Sequence, residues 1–380
     1  MGKKILHLSH TDIRTDSRIL KELKALTIAG YSVFAIGVEL NENVIRDKNV
    51  AGIDIKTIKI WSKQLTFLPK AICHFMTVIE IVFKFFIASI RFRPNIIHCH
   101  DTVVLPLGVL CKLFTRAKLI YDAHELESDR NGLSKTLGKL TLMVEKSLWL
   151  FIDALIVVSP SIEKWYRENV GAKKSIIVMN SPEYPLSESK GENADHEYLR
   201  RHFGITEESK IFIYIGLLAP GRGIEMLVNV FSSVDNASLV FIGYGPLSAE
   251  LKTYSQKGMS IYVHDAVAHY EVVPIVKSAD FGFCLIENVS LSDYYSLPNK
   301  LFEYAFSGIH VIGSNFPDIK YVIEHYGLGQ ICNLREEELK MCVEAVIREQ
   351  PPKVDRHSLV ELSWDNQASK LISLYKYFLG

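Results

Sequence analysis

Short apolar runs alternate with segments of helical spacing along almost the whole chain, and that alternation admits few architectures. Residues 5–8 are apolar, a polar loop follows over 10–16, and Ile19, Leu20, Leu23 and Leu26 then recur at helical spacing as far as Gly30. Further strand-like runs lie at 33–36, 53–58, 96–99, 119–121, 155–158 and 176–179. Strands separated by helices pair in parallel, and a parallel sheet needs cover on both faces. From 185 to 196 the sequence turns polar and charged, which reads as an exposed connection with a domain boundary just before it. A second alternation follows, with strands at 211–215, 239–242, 261–263, 281–285 and 310–312 and helices near 223–231, 247–256, 270–277 and 298–307. The 380 residues suffice for two domains with separate cores. The predicted fold is therefore α/β, two doubly wound domains over 1–183 and 184–360, with ligands expected outside the carboxyl ends of the strands.

The stretch 294–308, YYSLPNKLFEYAFSG, carries the densest chemistry. Ser296 can cap a helix there, and Pro298 suits its first turn, where a missing N–H costs nothing. Asn299 and Lys300 then fall at the helix N-terminus, whose unpaired N–H groups and positive pole favour an anion such as a diphosphate. Glu303, one turn on, can accept two hydroxyl hydrogen bonds, as a ribose requires. The competing reading is an amphipathic helix whose Lys and Glu form a local pair. The loop Gly216-Leu217-Leu218-Ala219-Pro220-Gly221-Arg222-Gly223 also follows a strand and leads into a helix. Its glycines allow close backbone approach to a phosphate, and Arg222 offers a forked, permanent cation. Gly243-Tyr244-Gly245-Pro246 is a third tight turn, but Ser248 stands where a dinucleotide fingerprint needs glycine.

Lys plus Arg and Asp plus Glu number 43 each, so no overall field draws in nucleic acid. Six cysteines without a CxxC pair suggest reduced thiols and a cytoplasmic setting, and the apolar run before His10 is too short for a secretion signal. Over 68–90, Leu68, Ile72, Phe75, Met76, Ile79, Val82, Phe83, Phe86 and Ile90 keep helical spacing, with charges too frequent for a bilayer span and Lys63, Arg91 and Arg93 at its flanks. Two readings stay open: a helix over 65–93 lying on an anionic membrane surface, or a crossover helix buried against the first sheet.

Six segments in order resemble glycosyltransferase family 4: DSRILKELKALTIAGYSV (16–33), YDAHEL (121–126), the GLLAPGRG loop, the GYGP turn, SLPNKLFEYAFSG and SWDNQASKLISLYK (363–376). The resemblance implies the GT-B fold, two Rossmann-like domains facing across a cleft, with residues 361–380 crossing back to the first domain. It implies that Arg222 and Lys300 hold a donor diphosphate and Glu303 the ribose, with Gly216, Gly221, Gly245, Tyr295, Pro298, Asn299 and Leu301 around the donor. His124 is expected near the reacting sugar, with Asp12 and Glu125 beside it on the acceptor side and His98, His100 and Asp101 close by. Two positions depart from the family pattern. Tyr295 replaces the first of its paired glutamates, with Tyr294 or Glu287 as substitutes, and Leu217 replaces a basic residue of its phosphate loop.

The expected chemistry follows from charge. Arg222, Lys300 and a helix N-terminus would stabilise the leaving diphosphate without a metal or cofactor. The resemblance implies retention of anomeric configuration, with leaving phosphate helping to deprotonate the acceptor. The reading is a nucleotide-sugar-dependent glycosyltransferase acting on a saccharide or lipid-linked saccharide in surface polysaccharide synthesis, at the inner face of the plasma membrane. The alternatives are a nucleotide-sugar 2-epimerase of the same fold and a non-catalytic partner subunit.

Overall fold

The computed structural model describes residues 2–39, 49–50, 53–62, 69–183, 195–349, 354 and 356–380. The chain divides into two units, Met1–Val178 with Ala368–Gly380, and Met179–Gln367. The boundaries thus fall at 178/179 and 367/368, not at 183/184 and 360/361. Most of the polar connection at 185–196 lies outside the described residues.

In the first unit, β1 (Lys4–Leu8), β2 (Ser32–Val38), β3 (Asn49–Val50), β4 (Ile53–Ile58), β5 (Ile96–His100), β6 (Lys118–Ala123), β7 (Ala154–Val157) and β8 (Ser175–Ile177) form one sheet, ordered β3-β4-β2-β1-β5-β6-β7-β8. All pairings are parallel except β3 with β4. β1 pairs with β2 on one side and β5 on the other, so the chain reverses its direction of winding at β1/β5. Ligands of doubly wound sheets enter outside the carboxyl ends at such a reversal. The β5 and β6 strands are almost wholly buried, as expected of strands covered on both faces.

The apolar segment at 68–90 forms the helix Lys70–Phe92, which combines features of both readings. Phe85, Ala88 and Ser89 are buried in its unit, while Ile72, Met76, Ile79 and Phe83 form an exposed stripe at helical spacing. Lys63 and residues 65–68 lie outside the described residues. Among the described residues no helix is long and apolar enough to cross a membrane.

The second unit holds β9 (Lys210–Leu217), β10 (Ala237–Tyr244), β11 (Ile261–His264), β12 (Phe281–Cys284), β13 (His310–Ser314) and β14 (Gly329–Cys332), all parallel, in the order β11-β10-β9-β12-β13-β14. Its winding reverses at β9/β12. Apolar clusters cover both faces: Ile213, Ile215, Leu301 and Phe302 lie in one, Phe212, Tyr214, Leu227 and Phe283 in the other. The last helix, Trp364–Leu379, starts in the second unit and ends in the first, where the Tyr375 hydroxyl lies 2.5 Å from His98 Nδ1.

Candidate active site

In the second unit, the loop after β9 and the helix Asn299–Ser307 meet at the carboxyl end of β9. The helix ends at Gly308, whose φ of 77° is the left-handed conformation that glycine adopts without strain. Its N-cap position is Pro298, with no side-chain cap. Ser296, expected to cap it, instead donates to the Asp293 carbonyl at 2.7 Å and closes the preceding turn.

Tyr304 anchors this helix, a role the sequence reading missed. β9 and β12 stay paired only through Phe212 and Ile213, then part. The fully buried Tyr304 hydroxyl accepts the Ile215 N–H at 3.0 Å, taking up a backbone donor that the parted strand leaves behind. Its ring lies where a Cβ on Gly282 would stand 2.6 Å away, so glycine there makes room for it. The available signal was a tyrosine on the apolar face of a helix opposite a glycine in a strand.

Lys300, one turn before Tyr304, is thereby pressed onto β9. It is 9% exposed, and its ammonium lies 3.6 Å from the Tyr214 ring centroid, beside Gly216. Among the described residues no carboxylate forms an ion pair with it. A buried ammonium whose partner is an aromatic ring, at a helix N-terminus, invites an anion. Glu303 is half-buried on the same helix.

Arg222 is held differently. Glu287 brackets its loop: Glu287 Oε1 accepts the Gly223 N–H at 3.1 Å, and its own N–H donates to the Gly221 carbonyl. The guanidinium lies 3.8 Å from Asp293, whose second oxygen accepts the Ser290 hydroxyl at 2.8 Å. Asp293 is 8% exposed and escaped the sequence reading, although Ser290-Leu291-Ser292-Asp293 has the spacing of a helix start. Tyr295, one step beyond the helix Leu291–Tyr294, is half-buried. The carboxylate beside Arg222 is thus Asp293, while Glu287 serves the backbone.

The glycines divide by role. A Cβ on Gly243 would meet the Gly216 carbonyl at 1.9 Å and one on Gly245 the Leu218 carbonyl at 2.3 Å, so the GYGP turn lets two strand ends approach. Pro298, Asn299 and Leu301 frame Lys300, with Leu301 wholly in the core. A cavity of about 360 Å³ at the ends of β12, β13 and β14 is lined by Glu287, Asn288, Ser314, Asn315 and Asn333 among others.

In the first unit, the strand ends hold a buried network that the sequence reading only touched. His98 and His100, expected to line a cleft, lie inside β5 and are fully buried. His7 Nδ1 is 2.9 Å from His100 Nε2, and His100 Nδ1 is 3.0 Å from His124 Nε2. Asp122 stands 3.0 Å from Arg18 and 3.4 Å from His124. Burial alone would raise the Asp122 carboxyl, but Arg18 and His124 hold it well below the usual range. Burial, followed by the Asp122 charge, pushes Glu22 up to about 8.

His7, Glu22, His98 and His100, and likewise His100, Asp122 and His124, bring metal-ligating atoms within 4.8 Å of one another. Arg18, 3.3 Å from Glu22, already supplies the positive charge between the two carboxyls.

His124 reaches the surface with about a fifth of its side chain exposed. Burial opposes its charge, yet Asp101 at 3.7 Å and Asp122 raise it to about 10, so it is an imidazolium at neutral pH. Asp12 is 3% exposed and engaged by Arg14, whose Nε donates to it at 2.8 Å. Glu125 is half exposed and 3.3 Å from Arg130.

Residues 209–348 match the family model described as glycosyl transferases group 1. A chitobiosyldiphosphodolichol beta-mannosyltransferase from Kluyveromyces lactis is 24% identical, over 96% of this chain and 89% of its own. Sucrose-phosphate synthase from Thermosynechococcus elongatus superposes with a TM-score of 0.78 at 17% identity, covering 99% of each chain. HepE from Anabaena, in complex with UDP-glucose, superposes with a TM-score of 0.73 at 12% identity over 98% of this chain and 99% of its own. The chain thus has the two-domain α/β fold of these glycosyltransferases, and its residues 209–348 are similar to the glycosyl transferases group 1.

Proposed function

We propose that the chain transfers a sugar from a nucleotide-sugar donor, bound at the carboxyl ends of β9, β10 and β12, to a saccharide or lipid-linked saccharide acceptor bound by the first unit. The observation that carries this reading is Lys300: a buried ammonium at a helix N-terminus, beside a glycine-lined strand end, with an aromatic ring as its partner. A diphosphate supplies the missing negative charge, and Arg222 reaches it by exchanging Asp293 for phosphate oxygens. As the bond between sugar and diphosphate breaks, both cations and the helix pole stabilise the charge on the leaving group. Glu303 takes the ribose hydroxyls, and the residues around the site supply the donor's binding with no metal.

The relative's name carries a lipid-linked acceptor, and the neighbour's title a nucleotide sugar, which supports both substrate classes. The product is a surface polysaccharide or its lipid-linked precursor, and the exposed stripe of the helix Lys70–Phe92 meets the membrane that carries the acceptor. Melting curves with a panel of UDP- and GDP-sugars test the donor half. One donor raises the melting point of wild type, and the shift is lost in Arg222→Ala and Lys300→Ala. No shift with any donor, or an equal shift in the variants, contradicts the reading. Release of a 2-epimer without transfer identifies an epimerase instead.

A further inference from the structure

In the first unit a groove of about 660 Å³ opens where the helix Lys70–Phe92 lies along β4, near the edge of the sheet. Among the described residues β3 pairs only with Ile53 and Asp54, so β4 from Ile55 onward has no neighbour on its outer side. Asp54, Lys56 and Ile58 alternate along β4, share one of its faces and line the groove. The helix forms the opposite wall. Phe83, Ile87 and Arg91 recur every four residues in one row, with Lys84 and Ala88 in the next. Trp61, 70% exposed, completes the lining, and the Glu80 carboxylate holds it by accepting its backbone N–H at 3.0 Å.

The lining sets four cations, Lys56, Lys59, Lys84 and Arg91, against one carboxylate, Asp54. Lys84 is taken by Glu80 at 2.5 Å and Lys59 lies 4.0 Å from Glu39, whereas among the described residues no carboxylate pairs with Lys56 or Arg91. Two uncommitted cations beside apolar side chains suit an anion that carries apolar surface of its own. Phe83 points to its source. It belongs both to the groove and to the exposed stripe of Ile72, Met76, Ile79 and Phe83, so the groove continues the surface proposed to meet the membrane.

We propose that this groove binds one anionic phospholipid, its phosphate between Lys56 and Arg91 and one acyl chain against Phe83, Ile87 and Ala88. The inference rests on the membrane contact of the helix and adds a discrete site to it: the stripe meets a surface, whereas the groove holds a single lipid by its phosphate. A zwitterionic lipid would bring a further cation to a wall that already has four, and is disfavoured.

Dihexanoyl-phosphatidylglycerol, below the concentration at which it forms micelles, is titrated into the whole chain and followed by tryptophan fluorescence, so that no membrane surface is needed. Expected is a saturable change at one lipid per chain, absent in Trp61→Phe although calorimetry on that variant still shows binding. Dihexanoyl-phosphatidylcholine and inorganic phosphate bind at least about tenfold more weakly. Lys56→Gln combined with Arg91→Gln lowers the affinity at least about tenfold. The melting point of that double variant stays within a few degrees of wild type, since both side chains are exposed. No saturable binding, a fluorescence change that survives Trp61→Phe, an unchanged affinity in the double variant or phosphate binding as tight as the lipid overturns the groove. Flotation of wild type with vesicles containing phosphatidylglycerol, beside any of those results, leaves the membrane contact of the stripe standing. Absence of flotation beside them removes that contact too.

Discussion

At the residue scale, single buried side chains set the local geometry of each unit. Tyr304 fixes the helix that carries Lys300 and Glu303 by accepting the Ile215 N–H. Tyr304→Phe keeps the ring over Gly282 but strands that buried donor, and should cost about 1–3 kcal/mol in chemical denaturation. In the first unit, His124 is charged because Asp101 and Asp122 overcome the cost of its burial. Its folded pKa of about 10 lies above the ordinary value near 6.5. The stability contributed by these ion pairs is therefore fully present below about pH 6.5 and is lost as pH rises through about 10. Histidine NMR should show His124 titrating near 10 in wild type and markedly lower in Asp101→Asn; an unchanged midpoint would remove Asp101 as a cause. Lys300 was legible because a cation sits where a helix N-terminus follows a turn. Asp293 and Tyr304 were not, since each owes its place to a partner far away in sequence: Arg222 and Ile215.

At the element scale, alternation was the strongest signal, because a strand covered on both faces must be apolar throughout. The central strands β1, β5, β6, β9, β10 and β12 were all read from it. The edge strand β14, Gly329–Cys332, was missed because it is mostly half-exposed and carries Gly and Gln, which break the apolar run. The β9–β10 pair shows how tightly the loops after these strands are built. Gly243→Ala sets a methyl 1.9 Å from the Gly216 carbonyl at a φ of 152°, and should cost about 3 kcal/mol or more, read from denaturation midpoints. The helix Lys70–Phe92 makes a separate prediction. Replacing Ile79 and Phe83 on its exposed stripe by Glu should abolish flotation with vesicles containing phosphatidylglycerol while leaving the melting point within a few degrees. Absence of flotation by wild type would remove the membrane role.

At the scale of the whole molecule, the chain folds into two units, each built on a doubly wound sheet. The second unit carries Lys300, Arg222 and Glu303 near the carboxyl end of β9, and the first carries Asp101 after β5 and His124 after β6. The two-domain α/β architecture was legible from periodicity, and the positions of Arg222 and Lys300 from helix starts that follow strands. The surroundings of His124 were less so, because Asp12 proves to be held by Arg14 and His98 and His100 are interior. The proposed donor site stands or falls with Lys300 as a buried cation that takes up a diphosphate. Calorimetric titration of UDP and UMP, or GDP and GMP according to the donor that shifts melting, into wild type and Lys300→Met tests it most directly. Wild type should prefer the diphosphate by at least about tenfold, and Lys300→Met, matched in length but uncharged, should lose that preference. Equal preference in the two proteins would contradict it.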